Sequence, residues 1–273
     1  KKSGNSWYYY IGNVKQKGWQ KIDNAWYYFN SKGVMLTGWQ MIGNYWYYMN
    51  SSGVMQTGWQ QINGSWYYLN ASGSMQTGWQ KIGGKLYYLQ GNGAMLNGGW
   101  HMLGRYWYYI SGNGAALTGW QKIGGRWYYM DKNGRMKTGW YKVGKKWYYS
   151  DGSGAMQTGW MYSYNTWYYL NGNGAMAEGW IHLGNTWYYM QPGNGAMKTG
   201  WQKIDGKWYF LNSNGAMQTG GWFNQGYVWY YLNANGSMAE GWIRLGNTWY
   251  YMQPNSGHMR TGWYQVGKKW YYS

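Results

Sequence analysis

Six acids and three histidines are the usual candidates for acid–base or metal chemistry in this 273-residue chain. They are not arranged for it. Asp23 and Asp205 stand at tight-turn positions, and Asp131 and Asp151 lie in connecting stretches. Glu178 and Glu240 each replace the Thr before a Gly-Trp pair. Glycoside hydrolysis needs two carboxyls held across one substrate, and no spacing here supplies them. His101, His182 and His258 stand alone, and His182 is matched by Arg244 in a related stretch. A metal centre is therefore not expected. The absence of cysteine excludes disulfides and thiolate ligands. Pairs such as Gly83-Gly84 are turn residues and do not open a helix as a phosphate loop would. Neither catalysis nor a cofactor is expected.

The chemistry lies instead in 26 Trp, 35 Tyr and 18 Met. A Gly-Trp pair recurs every 20 or 21 residues, at Trp19, Trp39, Trp59, Trp79, Trp100, Trp120, Trp140, Trp160, Trp180, Trp201, Trp222, Trp242 and Trp263. Seven residues later a second Trp opens a Trp-Tyr-Tyr triplet, at Trp26, Trp46, Trp66, Trp107, Trp127, Trp147, Trp167, Trp187, Trp208, Trp229, Trp249 and Trp270. Leu86 takes that place in the fifth copy, and Phe210 replaces the last Tyr of one triplet. Several ring faces around a small void attract a cation, above all a quaternary ammonium, and each contact is worth roughly 0.5–2 kcal/mol. A Met before most Gly-Trp pairs suits such a lining, because its thioether is apolar and adaptable. Two readings stay open at this point: the rings are only packing between elements, or they leave open boxes.

The elements that must position the rings follow from the spacing. The step from Gly-Trp to triplet never changes, whereas the step onward is 13 or 14 residues. A segment of constant length has fixed geometry, and the variable one is a connector. The fixed segment reads as a hairpin: Trp19-Gln-Lys-Ile22, a turn at Asp23-Asn24, then Ala25-Trp-Tyr-Tyr28. Gly-Asn, Asn-Gly, Gly-Gly or Asp-Gly replace the turn in other copies and tolerate positive φ. A two-residue turn pairs Lys21 with Trp26 and Trp19 with Tyr28. Alternation then puts Trp19, Lys21, Trp26 and Tyr28 on one face and Gln20, Ile22, Ala25, Tyr27 and Phe29 on the other. A lone hairpin is marginal in water, so the hairpins must stack. Aliphatic residues are scarce, so the rings are expected to supply the buried area. The expected fold is all-β: a solenoid of stacked two-stranded β-hairpins joined by Gly-rich connectors. It forms one array over 1–273, with a partial repeat at 1–18 and about thirteen full ones.

Stretches such as Gly38-Trp-Gln-Met-Ile-Gly-Asn-Tyr-Trp-Tyr-Tyr48 and Gly53-Val-Met-Gln-Thr-Gly-Trp59 resemble the choline-binding (cell-wall-binding) repeats of pneumococcal and related surface proteins. The resemblance covers essentially the whole chain. It implies a hairpin solenoid that docks onto phosphocholine of teichoic and lipoteichoic acids, with sites between consecutive hairpins. It also implies a secreted protein held non-covalently on the bacterial surface, of which murein hydrolases and adhesins are the usual owners. Carried over, the resemblance implies a box of Trp39, Trp46 and Tyr48, closed by Trp59 or Met55. Equivalent sets are Trp19, Trp26 and Tyr28; Trp59, Trp66 and Tyr68; Trp100, Trp107 and Tyr109; Trp120, Trp127 and Tyr129, then Trp140, Trp147 and Tyr149 with Met156. Beyond these come Trp160, Trp167 and Tyr169 with Met176; Trp180, Trp187 and Tyr189; Trp201 and Trp208; Trp222, Trp229 and Tyr231; Trp242, Trp249 and Tyr251; and Trp263 with Trp270. The Trp79 box, lacking a ring at Leu86, is expected to be weak or closed. Ala116, where other repeats carry Met, is expected to affect the box preceding Trp120.

The net charge of +18 first suggests a polyanionic partner. The basic residues are scattered singly, and rings that pair within hairpins argue against nucleic acid. Lys21, Lys81, Lys122 and Lys203 stand where they could meet the phosphate that accompanies each choline; the alternative is that they are solvated strand residues. No apolar run is long enough to span a membrane, and no signal peptide is visible. The chain reads as a fragment or anchor of a longer protein. Two rival functions remain: a carbohydrate-binding array, since similar repeats in glucan-binding domains stack on sugars, and a stalk whose boxes bind nothing. Segment 177–190 nearly repeats at 239–252, three hairpins on, which points to duplication in blocks.

Overall fold

The computed structural model describes residues 1–273. It is all-β, with every strand in a two-stranded antiparallel sheet. Thirteen hairpins carry the repeat, from Gly18–Ile22 with Ala25–Phe29 to Trp263–Val266 with Lys269–Tyr272. Two short hairpins precede them, Lys2–Ser3 with Ser6–Trp7 and Tyr10–Ile11 with Val14–Lys15. No helix is long and apolar enough to cross a membrane. The chain divides into two units, Lys1–Lys137 and Thr138–Ser273.

The register follows the spacing. Trp19 faces Tyr28, Lys21 faces Trp26 and Ile22 faces Ala25, and the same pairing returns in unit 2 at Trp160–Tyr169 and Tyr162–Trp167. The turns have the backbone that two-residue hairpins demand. Asp23 and Asn24 both hold positive φ, 46° and 64°, as a type I′ turn requires.

Rings such as Tyr108, Tyr141 and Tyr230 are buried, but full enclosure falls mainly on a different column. The residue that follows the triplet is the one fully enclosed from the first full repeat to the twelfth. In unit 1 this column is Phe29, Met49, Leu69, Leu89, Ile110 and Met130, at 0–3% exposure. In unit 2 it continues with Leu170, Met190, Leu211, Leu232 and Met252. Most members of the column are aliphatic or thioether chains, slimmer than Trp, which stays half-buried to exposed. Ser150 interrupts the column, and there the Tyr141 hydroxyl reaches in to its Oγ at 2.9 Å.

The connectors lock one hairpin to the next. Asn30 Oδ1 accepts from the N–H groups of Lys32 and Val34, an Asx-type closure of the loop. Met35, Met55, Met75 and Met95 each bridge to the last strand residue of the preceding hairpin. Each Met also donates its N–H at 2.7–2.8 Å to the triplet-Trp carbonyl of the hairpin before that, as Met55 does to Trp26. The Met side chain then lies over a connector glycine of the next repeat. A Cβ on Gly73 would collide with the Met55 sulfur, and Gly73 also holds φ +84°, so both space and backbone demand glycine there.

Candidate functional site

Each junction is built from the two faces that alternation creates. The front face of one hairpin presents its two Trp, and the back face of the next covers them with the middle Tyr of its triplet. Trp19 stands edge-on to Trp26, with ring centres 6.3 Å apart, and 4.9 Å from Tyr47 of the following hairpin. Trp19, Trp26, Tyr47 and Met55 line a cavity that Ala71 and Ser72 close from the connector beyond the third hairpin. Unit 2 repeats the arrangement. Trp160, Trp167, Tyr188 and Met197 line one cavity, with Ser213 and Asn214 as its lid. Trp201, Trp208, Tyr230 and Met238 line another, with Asn255, Ser256 and His258. Trp242, Trp249 and Tyr271 line a further one.

These walls are aromatic rings, a thioether and backbone, with no carboxylate among them. The triplet Trp remain open: Trp26 is 42% exposed and Trp167 44%. So much uncovered ring surface, facing a cavity, is what a cation with an apolar skin can cover.

In the cavities described above, the rings are grouped differently from the expected sets. Trp19 with Trp26, Trp140 with Trp147, Trp160 with Trp167, Trp201 with Trp208 and Trp242 with Trp249 each line one cavity together. The last Tyr of the triplet packs within its own hairpin: Tyr28, Tyr48, Tyr68, Tyr109, Tyr129, Tyr149, Tyr169, Tyr189, Tyr231 and Tyr251 each lie on the first Trp, 4.9–5.4 Å between centres, and Tyr28, Tyr149 and Tyr169 are not among the residues lining the cavities of their Trp pairs. The third ring wall is the middle Tyr of the next hairpin, as Trp39–Tyr67, Trp100–Tyr128, Trp180–Tyr209 and Trp222–Tyr250 show. Alternation already placed that Tyr on the opposite face, and front-to-back stacking brings it round. Trp59 and Met55, expected to close the Trp39 box, are found with other partners. Trp59 stands with Trp66 in the next one, and Met55 belongs to Trp19 and Trp26. Likewise Met176 lines the Trp140 cavity, not that of Trp160, and the Met156 side chain packs on Gly174. The lid residues carried no signal in the spacing, because they come from two repeats away.

Leu86 and Ala116, which the sequence assigned to separate boxes, fall in one. Ala116 donates its N–H to the Leu86 carbonyl, the bond that Met makes elsewhere. Tyr108 packs 4.6 Å from Trp79 and is almost fully buried, with Ile110 and Ala116. Arg135 lays its guanidinium 4.5 Å over the Tyr106 ring. A hydrogen bond to Tyr108 is the chief cause that raises its pKa further above the ordinary value. This junction is filled from within.

Two-stranded hairpins in series with aromatic cages between consecutive ones define a class of repeat module. Family comparison gives the class its name. The choline-binding repeat matches residues 16–57, 36–75, 56–100, 117–158, 137–177 and 219–261, and the putative cell wall binding repeat matches 178–197, 199–217 and 261–273. The chain belongs to the family of choline-binding repeat proteins. Among solved structures, choline binding protein F from Streptococcus pneumoniae, crystallised with a peptidoglycan analogue, is 31% identical, with a TM-score of 0.68 over 91% of this chain and 94% of that one. CbpJ from the same species is 34% identical, TM-score 0.56, covering 95% and 93%. The modular autolysin LytC of that species is 26% identical, TM-score 0.50, over 82% of this chain and 53% of its own. Comparison with curated protein sequences returned no match.

Proposed function

We propose that this choline-binding repeat module holds the protein on the bacterial surface by seating phosphocholine groups of teichoic and lipoteichoic acids in its junction cavities. The observation that carries this reading is the repeated cage of two Trp, one Tyr and one Met, free of carboxylate and half open. Cavities of about 250 to 330 Å³ suit a small head group better than a run of sugar units. The binding residues are the paired Trp, such as Trp19 with Trp26 and Trp160 with Trp167, together with Tyr47 and Tyr188 from the following hairpins. Trp39 with Trp46, Trp180 with Trp187 and Trp222 with Trp229 act in the same way. Many weak cages on one polymer gain strength through effective concentration.

The test is a choline titration read by intrinsic Trp fluorescence and by melting, with glucose oligomers as the control. A ligand that binds only the folded chain must stabilise it. A saturable fluorescence change and a higher Tm with choline alone are expected. A response to sugars alone would make the array a carbohydrate binder, and no response to either would make it a stalk.

A further inference from the structure

One junction departs from the others. The cavity of Trp140, Trp147, Tyr168 and Met176 has an additional ring, Tyr164. Tyr164 is the first residue of the turn that joins Gly159–Ser163 to Thr166–Leu170. Its φ is +49°. Every other repeat has Gly, Asn or Asp at this turn position, as at Gly43, Asn63 and Asp205. A bulky side chain in the left-handed region is strained, and strain of this kind persists only where something else compensates it. Packing does not, for Tyr164 is 88% exposed. The ring gains no burial from the chain itself, yet it lines the opening of the cage. The lid of the same cavity differs from that of the Trp160 cavity. Gly193 and Asn194, beside Pro192 in a connector one residue longer, form it, and the Glu178 carboxylate accepts the Gly193 N–H at 3.1 Å. A formal negative charge thus lies one hydrogen bond from the wall.

We propose that Tyr164 is an affinity-determining residue that makes the Trp140 cavity the preferred quaternary-ammonium site over three-ring cavities such as that of Trp160. The inference rests on the choline reading above. The fourth ring adds one cation–π contact, and the ligand supplies the burial that the strained turn lacks. Tyr227 provides an internal control. It too is a turn Tyr with positive φ, 68°, and is fully exposed, but it is not among the residues lining the Trp201 cavity of its junction.

The experiment is a choline titration of the whole chain followed by the indole N–H resonances of Trp140 and Trp160. Assignment uses Trp→Phe variants. In the parent protein Trp140 should reach half-saturation at about three- to tenfold lower choline than Trp160, the size of one added contact. Tyr164→Gly should abolish that difference and leave Trp160 unchanged, while the choline-free Tm stays level or rises as the turn relaxes. Tyr227→Gly should keep the difference. Equal half-saturation in the parent, or an undiminished difference in Tyr164→Gly, overturns the proposal. So does a Tyr164→Gly protein in which both sites weaken together and the choline-free Tm falls, because the ring would then be structural support. Silence at both indoles in the parent would instead sink the choline reading itself.

Discussion

At the scale of single residues, two neighbouring tyrosines in one triplet have different tasks. Tyr47 covers the Trp19 cavity from the next hairpin, whereas Tyr48 braces Trp39 within its own. Tyr47→Ala should weaken choline at the Trp19 cavity about two- to thirtyfold, from the loss of one cation–π contact. Tyr48→Ala should instead lower the unfolding free energy by about 1 to 3 kcal/mol through lost aromatic burial. Urea unfolding beside a choline titration separates the two. If both substitutions act mainly on affinity, the assignment of walls is wrong. The same division explains what the spacing could reveal. The constant step of seven residues fixes which side chains share a face, so the paired Trp of each junction were legible. Which face meets which neighbour is a tertiary matter. Alternation separates the last Tyr from the middle one, but spacing alone does not say which of them meets the neighbouring hairpin.

At the scale of the hairpin and its connector, stability and binding rest on different side chains. Leu69 is fully enclosed while Trp66, three residues earlier, is 41% exposed. Leu69→Ala should cost about 2 to 5 kcal/mol, seen as lost amide protection across the hairpin Gly58–Ile62 with Ser65–Leu69. Trp66→Ala should cost less and remove the local choline response. The connector glycines link the two properties. Gly73→Ala introduces a Cβ where the Met55 sulfur sits and where φ is +84°. It should lower Tm and also loosen the Trp19 cavity, because Met55 forms one of its walls. Normal choline affinity at Trp19 in that variant would show that the Met wall is dispensable. The aliphatic column was harder to read than the hairpins. One apolar residue per repeat contributes little to a composition dominated by rings, yet Met49, Leu69 and Leu89 recur at a fixed place after each triplet.

At the scale of the whole molecule, charge and ligand have to be reconciled. A chain of net charge +18 gains nothing electrostatically from a bare cation. Lys21, Lys122 and Lys203 stand directly across the strand pair from Trp26, Trp127 and Trp208, beside the cages and not within them. Binding to a choline-bearing phosphate polymer should therefore fall steeply between low and high salt, while binding of free choline stays nearly flat, because exposed charges are screened over roughly 10 Å at 0.1 M salt. Parallel salt curves for the two ligands would rule out a phosphate role for the lysines. Lys81 is paired with Leu86, at the junction filled from within, and Lys81→Gln should affect neither curve.

The way each cavity is assembled also has a genetic consequence. Its rings come from two consecutive hairpins and its lid from the connector after the third, as in the set running from Trp19 to Ser72. A crossover that copied a single repeat would join the wall of one ancestor to the lid of another, and would mix whatever each had been tuned for. Copying three hairpins at once transmits an intact cage. The near-identical segments 177–190 and 239–252 lie 62 residues apart, three hairpins along the chain. Both carry the Glu before Gly-Trp, and both lead into a Pro-bearing lid, at Pro192 and Pro254. The smallest heritable unit of such an array is the complete binding site, not the repeat by which it is recognised.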